Sequence, residues 1–275
     1  MSSEVFAMFF SPTGNTKKVV RAIAKGIAKE ISDGDFYAID LTSRDDRHAV
    51  YAFGEGDVVI LGVPTYAGRI PNKIEPYISA SIYGDGAIAI PVVTYGNRAF
   101  DDSLKELSTI MTENGMDLCG GVAVPSEHAF TDKLAKDCPT DKDIQDLTEY
   151  GIKLGQEIKK GNTNRLSIKS IPGRDMEVSE YYRPLKENGE VANFLKAMPV
   201  TDESKCTGCE ECRNICPMGC YRDSLIEAQG TCIKCQGCIK ICPVGAKHFD
   251  DEEFLSHVKM IEKNYSDTKN KLLTL

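Results

Sequence analysis

Cys206-Thr-Gly-Cys-Glu-Glu-Cys-Arg-Asn-Ile-Cys-Pro217 and Cys232-Ile-Lys-Cys-Gln-Gly-Cys-Ile-Lys-Ile-Cys-Pro243 are one phrase written twice, offset by 26 residues. Each copy reads C-x2-C-x2-C-x3-C-P. Eight thiolates at this spacing hold a pair of [4Fe–4S] clusters: three close cysteines grip one cube, and the fourth, past the longer step, reaches across to the other. The expected quartets are therefore Cys206, Cys209, Cys212 with Cys242, and Cys232, Cys235, Cys238 with Cys216. A zinc site uses two separated C-x2-C pairs and would leave half of these thiols idle. Disulfides need an oxidising compartment, and cysteines three apart are badly placed to pair. Two such clusters imply single-electron chemistry. Of the other cysteines, Cys220 aligns with Ala246 when the copies are overlaid and reads as a small buried residue rather than a ninth ligand. Cys119 lies in an apolar run, and Cys138 has no basic neighbour to activate it.

The chain of 275 residues has room for one ordinary domain and a small second one, and its 41% hydrophobic content supports a real core. A net charge of −8 leaves no basic stripe for nucleic-acid phosphates. An acidic surface suits redox proteins that dock electrostatically. The N-terminal segment Met1–Phe10 has no basic n-region, and no apolar run approaches a membrane span. With the cysteine usage, this points to a reducing cytoplasm, expected to be that of an anaerobe.

Upstream of the cysteines, strand and helix alternate. Apolar runs at residues 4–11, 36–41, 57–63, 87–93 and 118–124 read as five strands, several too continuously β-branched to be other than buried on both faces. Helical patterns cover residues 17–31, 74–79, 102–113 and 141–160, the first with Val20, Ile23, Ala24, Ile27 and Ile31 on one face. The alternation predicts a doubly wound, five-stranded parallel sheet with helices on both faces. The expected division is an α/β domain over 1–160, a packed linker over 161–199, a small α+β cluster domain over 200–250, and a C-terminal helix over 251–275.

The first strand runs into Ser11-Pro-Thr-Gly-Asn-Thr16, and a helix follows at once. Hydroxyls and bare backbone N–H groups at a helix N-terminus favour an anion. The loop lacks the G-K-[ST] ending of a Walker A motif and the G-x-G-x-x-G dinucleotide fingerprint. An ordinary helix cap at Thr16 is the plain structural alternative. Two further loops, Pro64-Thr-Tyr-Ala-Gly-Arg-Ile-Pro71 and Thr94-Tyr-Gly-Asn-Arg-Ala-Phe100, follow the third and fourth strands, at the carboxyl ends where open α/β sheets bind ligands.

At this point the chain resembles a flavodoxin-like domain fused to a bacterial-type two-cluster ferredoxin domain. Ser11, Thr13, Gly14 and Thr16 match the FMN-phosphate loop of flavodoxins, [ST]-x-T-G-x-T, with Asn15 between them. The resemblance implies that Pro64, Thr65, Tyr66, Ala67 and Gly68 on one side, and Thr94, Tyr95, Gly96, Asn97 and Arg98 on the other, flank the flavin. Tyr66 and Tyr95 are placed to stack on the ring or line its edge. Gly68 lets a peptide turn its carbonyl toward N5–H, and residues 96–98 offer donors to the pyrimidine edge. For either tyrosine alone, core packing is the alternative. Glu127-His128, after the fifth strand, is a candidate proton source, and Arg69 and Arg98 are candidate partners for an anionic flavin or substrate.

The resemblance implies FMN and two [4Fe–4S] clusters serving electron transfer, with a ferredoxin-like protein as donor or acceptor. The alternative is an FMN-dependent reductase of a small organic oxidant, and a redox sensor is a third reading. Clusters serving their own chain's flavin, or a partner's in a homodimer, are both compatible with the sequence.

Overall fold

The computed structural model describes residues 3–163, 166–174, 180–267 and 269–274. Its order is β1 (Val5–Phe9), α1 (Asn15–Ile31), β2 (Tyr37–Asp40), β3 (Tyr51–Phe53), β4 (Val58–Pro64), α2 (Glu75–Ser81), β5 (Ile82–Gly84), β6 (Ile88–Tyr95), α3 (Ser103–Glu113), β7 (Asp117–Leu118), β8 (Gly121–Pro125) and α4 (Asp141–Lys159). There follow β9 (Val200–Thr201), α5 (Glu211–Ile215), α6 (Gly237–Ile241), β10 (Lys247–His248), α7 (Glu252–Asn264) and β11 (Leu272–Thr274).

The main sheet runs β2-β1-β4-β6-β8, all parallel. Counting only these five strands, the order is 2-1-3-4-5, the flavodoxin-like doubly wound arrangement, whose ligand crevice opens beyond the carboxyl ends at the switch between the first and third. Side chains alternate across it with period two. Ala7, Phe9, Val58, Ile60, Ile90 and Val92 pack under α1 and α4. Met8, Val59, Leu61, Ala89 and Val93 pack under α2 and α3. Ile23 and Ile27 of α1 are wholly buried in the first layer, each stabilising the fold by roughly 1.5–3 kcal/mol. Helices α1 and α4 cross almost backbone on backbone: a Cβ on Gly26 would lie 2.2 Å from the Thr148 carbonyl oxygen. Thr140 caps α4, accepting from the Asp143 N–H while the Asp143 carboxylate accepts from the Thr140 N–H.

The C-terminus departs from the expected helix over 251–275. Helix α7 stops at Asn264, and Leu272–Thr274 runs antiparallel to β8 as a sixth strand on the main sheet. After Asn264 come Tyr265, Ser266 and Asp267, poor helix formers. The open edge of β8 offers the backbone partners that a continued helix would not need. Asn97, fully buried, locks the segment before β11: its side-chain amide donates to the Tyr265 and Asp267 carbonyls and its oxygen accepts from the Lys269 N–H.

The 161–199 segment lies along the first domain where it is described; residues 164, 165 and 175–179 lie outside the described residues. The Leu166 N–H donates to Leu118, Ile171 is buried in the core, Arg174 pairs with Asp102 at 2.8 Å, and the Tyr182 N–H donates to the Ala67 carbonyl. The cysteine region carries a short β9–β10 pair and the helices α5 and α6. Among the described residues no helix is long and apolar enough to cross a membrane.

Candidate cofactor centres

The two cysteine phrases fold alike. Glu210 and Gln236 hold left-handed φ angles of 64° and 65° just before α5 and α6. Each helix runs one turn past its third cysteine. Cys216 (φ −69°, ψ 110°) and Cys242 (φ −66°, ψ 112°) then leave in extended conformation, which turns the fourth cysteine away from its own group. The thiols gather in the crossed sets: Cys206, Cys209, Cys212 and Cys242 around one cavity, and Cys216, Cys232, Cys235 and Cys238 around the other. Among the described residues no group of three His, Cys, Asp or Glu is arranged for a single metal ion. The thiols instead ring a void, as the donor set for a cluster does. Backbone amides point at sulfur in matched positions, Cys220 N–H to Cys216 Sγ at 3.3 Å and Ala246 N–H to Cys242 Sγ at 3.2 Å. Such donors favour the thiolate that binds iron.

Cys220 is buried, as its alignment with Ala246 suggested, yet it also lines the second cavity, a fifth cysteine there. Hydrogen bonds to Cys216 and Cys232 push its thiol up and lower those two, to about 6 and about 7. Beside the first cavity the corresponding pair is Ala246 and the buried Lys247, whose ammonium donates to Thr201 Oγ1 at 2.6 Å and lies 4.0 Å from the Tyr221 ring centroid.

The Ser11–Thr16 loop sits between β1 and α1 at the carboxyl end of the sheet. Gly14 turns it with a φ of 87° that a side chain would resist. The Ser11 hydroxyl accepts from the Lys17 N–H at 3.0 Å, and the Ser11 N–H donates to Thr42 Oγ1 at 2.9 Å. The backbone N–H groups of Thr13, Asn15 and Thr16 find no acceptor among the described residues. Three free donors at the head of a 17-residue helix fit an anion such as a terminal phosphate. The Thr16 hydroxyl is turned inward to Thr94 Oγ1, 2.7 Å away, joining two of the residues picked from sequence.

The flanking loops meet at the same end of the sheet but are more committed than their sequences suggested. Pro64 closes β4, and Thr65 joins Ser103 Oγ at 2.7 Å. Residues 66–69 form a tight turn with positive φ at Ala67 and Gly68. The Ala67 carbonyl accepts from the Tyr182 N–H and the Gly68 carbonyl from the Asp102 N–H, each with a second lone pair remaining. Tyr95 faces the core, buried against Phe100, with its hydroxyl donating to Asn270. It packs in the core rather than presenting a stacking face. Asn97 is spent on the C-terminal segment, so its side chain offers no pyrimidine donor. Arg98 pairs with Asp101 and stacks 4.0 Å from the Tyr182 ring centroid, and Arg69 pairs with Glu106 at 2.5 Å. His128 fills the space beside Gly96, and burial pushes its pKa down to about 3. It is a neutral imidazole, not a proton source, at physiological pH. Tyr66 opens the 66–69 turn at the same end of the sheet. Its phenol, pushed well above the ordinary tyrosine range by burial, lies near Cys235 and Cys232.

That proximity reflects a seat between the two halves of the chain. Gly237, at the start of α6, lies against the phosphate-type loop: a Cβ there would be 3.2 Å from the Pro12 carbonyl oxygen and 3.3 Å from the Pro12 Cβ. Arg47 holds the carbonyls of Leu41, Thr42 and Ser43 with one nitrogen and reaches Pro217, next to Cys216, with the other at 2.5 Å. Lys240 of α6 pairs with Glu127 at 2.7 Å, and Ile233 packs on the core under α2 and α3. Neither Arg47 nor Gly237 was legible as a docking residue, because each acts on a segment about 170 or more positions away.

Residues 199–222 match a family described as a 4Fe-4S binding domain, and residues 229–245 match a second family of the same description. The chain thus joins a flavodoxin-like sheet to a ferredoxin-type 4Fe–4S region, which supports a redox electron-transfer role. Structural neighbours of the first part include a flavodoxin from the domain Archaea, at 22% identity over 57% of this chain and 99% of that one, with a TM-score of 0.40. A flavodoxin, WrbA-like protein from Agrobacterium tumefaciens matches at 18% identity over 58% and 99%, with a TM-score of 0.39. Rubredoxin oxygen:oxidoreductase from the anaerobe Desulfovibrio gigas matches at 18% identity over 60% of this chain and 38% of that one, with a TM-score of 0.35. The fold assignment rests on the strand order, not on these scores. No curated protein matches the chain.

Proposed function

We propose that this chain is an electron-transfer flavoprotein. In this reading FMN lies with its phosphate at Ser11–Thr16, and two [4Fe–4S] clusters are held by the crossed cysteine quartets. The bound groups supply the redox chemistry, one electron at a time at the clusters and one or two at the flavin. The residues supply placement. Thr13, Asn15 and Thr16 offer N–H donors to the phosphate. Tyr66 and the 66–69 turn border the crevice. Arg47, Gly237 and Lys240 fix the Cys216/Cys232/Cys235/Cys238 cavity over the same strand ends. The observation that carries the proposal is this seat, with Gly237 against Pro12, Arg47 on Pro217 and Lys240 on Glu127. It favours a carrier with an internal path over a reductase whose flavin face opens to a roomy substrate cavity.

Gly237→Glu tests it. The corresponding residue of the first copy is Glu211, and glutamate suits the first turn of a helix, so α6 and its cluster should form normally. At the seat, however, the added Cβ would lie 3.2 Å from the Pro12 carbonyl oxygen, and the rest of the side chain must find room by loosening that contact. Electron transfer from clusters to flavin is expected to slow at least about tenfold, a loss of about 1.4 kcal/mol in barrier terms, with cluster absorption unchanged. An unaltered rate would contradict the proposed path.

A further inference from the structure

The two cysteine phrases are near-identical in sequence and backbone, but not in exposure. In the first copy Cys209, Glu210 and Glu211 are all exposed. In the second the matching Cys235, Gln236 and Gly237 are all buried, under the loops at the strand ends. The other lip of the first cavity is exposed as well: Ile241 and Val244, which bracket Cys242, are 41% and 40% exposed, unusual for large apolar side chains. The second-cysteine loop of one cavity is thus covered by the strand ends, while that of the other opens to solvent beside a small apolar lip.

The exposed charges left unpaired beside that opening are acidic. Glu203 and Glu211 carry no ion pair among the described residues, whereas Lys205 is neutralised by Asp202 at 2.9 Å and Arg213 by Glu210 at 2.6 Å. The cationic Lys247 beside the cavity is buried and turned to Thr201 and Leu225. An apolar centre with a charged rim is the anatomy of a transient protein interface, and the rim sets which partners are steered in and which are repelled.

We propose that the open Cys206/Cys209/Cys212/Cys242 cavity is the docking port for a one-electron redox protein with a basic rim around its own centre. This rests on the electron-carrier reading, and it narrows the partner: an acidic carrier would meet like charge at Glu203 and Glu211. The exchange moves a single electron, the partner's centre being oxidised by one as the cluster is reduced by one, or the reverse, with no bond made or broken.

The test measures binding of the cluster-loaded chain to a basic c-type cytochrome kept ferric, by chemical-shift or calorimetric titration at low and high salt. Three proteins are compared: the wild type, a rim variant (Glu203→Gln, Glu211→Gln), and a control that removes two exposed carboxylates elsewhere (Asp33→Asn, Asp35→Asn). The two variants have equal net charge. The rim variant is expected to lose about tenfold or more in affinity and most of its salt dependence, while the control stays within about threefold of wild type. Zero-length carbodiimide cross-links to the cytochrome's lysines should map to the rim glutamates. Equal losses in the two double variants, or cross-links scattered over the acidic surface, would overturn the port. The carrier reading fails separately: an intact port with no cluster-to-flavin transfer in the same chain would refute that reading and leave the port standing.

Discussion

Glu211 and Gly237 occupy the same place in two copies of one phrase, and the difference between them reports what each copy faces. A glutamate stands where the copy faces water, and a glycine where the copy rests so closely on Pro12 that a Cβ would lie 3.2 Å from its carbonyl oxygen. The cysteines were readable because ligand chemistry fixes both residue type and spacing, with no need of the rest of the fold. The Ser11–Thr16 loop was readable for the same reason. The partners of Asn97 and Tyr95, at residues 265–270, were not legible because they arrive from elsewhere in the chain. His128 belongs with them, and it carries a prediction. An unfolded histidine binds its proton near 6.5, whereas the folded one resists until about 3. Between these values the unfolded state holds the extra proton, so stability falls as pH drops below about 6.5, by up to about 1.4 kcal/mol per pH unit from this group. Above that range the group adds no pH dependence. His128→Gln should flatten the decline between about pH 7 and pH 5 in denaturant unfolding, and an unchanged slope would show that the imidazole is not held neutral.

At the scale of elements, the β1–α1 unit makes the proposed phosphate site, through a left-handed Gly14, three N–H groups with no acceptor among the described residues and the positive end of α1. Thr13→Glu sets a carboxylate in the place of the phosphate. FMN affinity should drop at least about tenfold, or 1.4 kcal/mol, while cluster absorption persists as the sign that the chain has folded. Retention of stoichiometric flavin would mean that the phosphate binds elsewhere. The five parallel strands and their helices were legible because hydrophobic period and length suffice for buried strands and amphipathic helices. Strand β11 was not. Three residues near a chain end carry almost no periodic signal, and their pairing depends on the open edge of β8, some 150 positions earlier.

At the scale of the molecule, the account stands or falls on whether the cluster region is seated on the flavodoxin-like sheet of its own chain. Arg47 to Pro217, Lys240 to Glu127 and Gly237 on Pro12 are all contacts within one chain. Electrons entering at the open cavity should therefore reach the flavin without a second molecular encounter. The most direct measurement is rapid anaerobic mixing of the fully loaded protein with a limiting one-electron reductant, followed at cluster and flavin wavelengths over a tenfold or wider range of protein concentration. The account predicts cluster reduction first, then flavin reduction at a rate independent of protein concentration. A flavin phase whose rate rises in proportion to concentration would contradict it, because electrons would then be crossing between molecules.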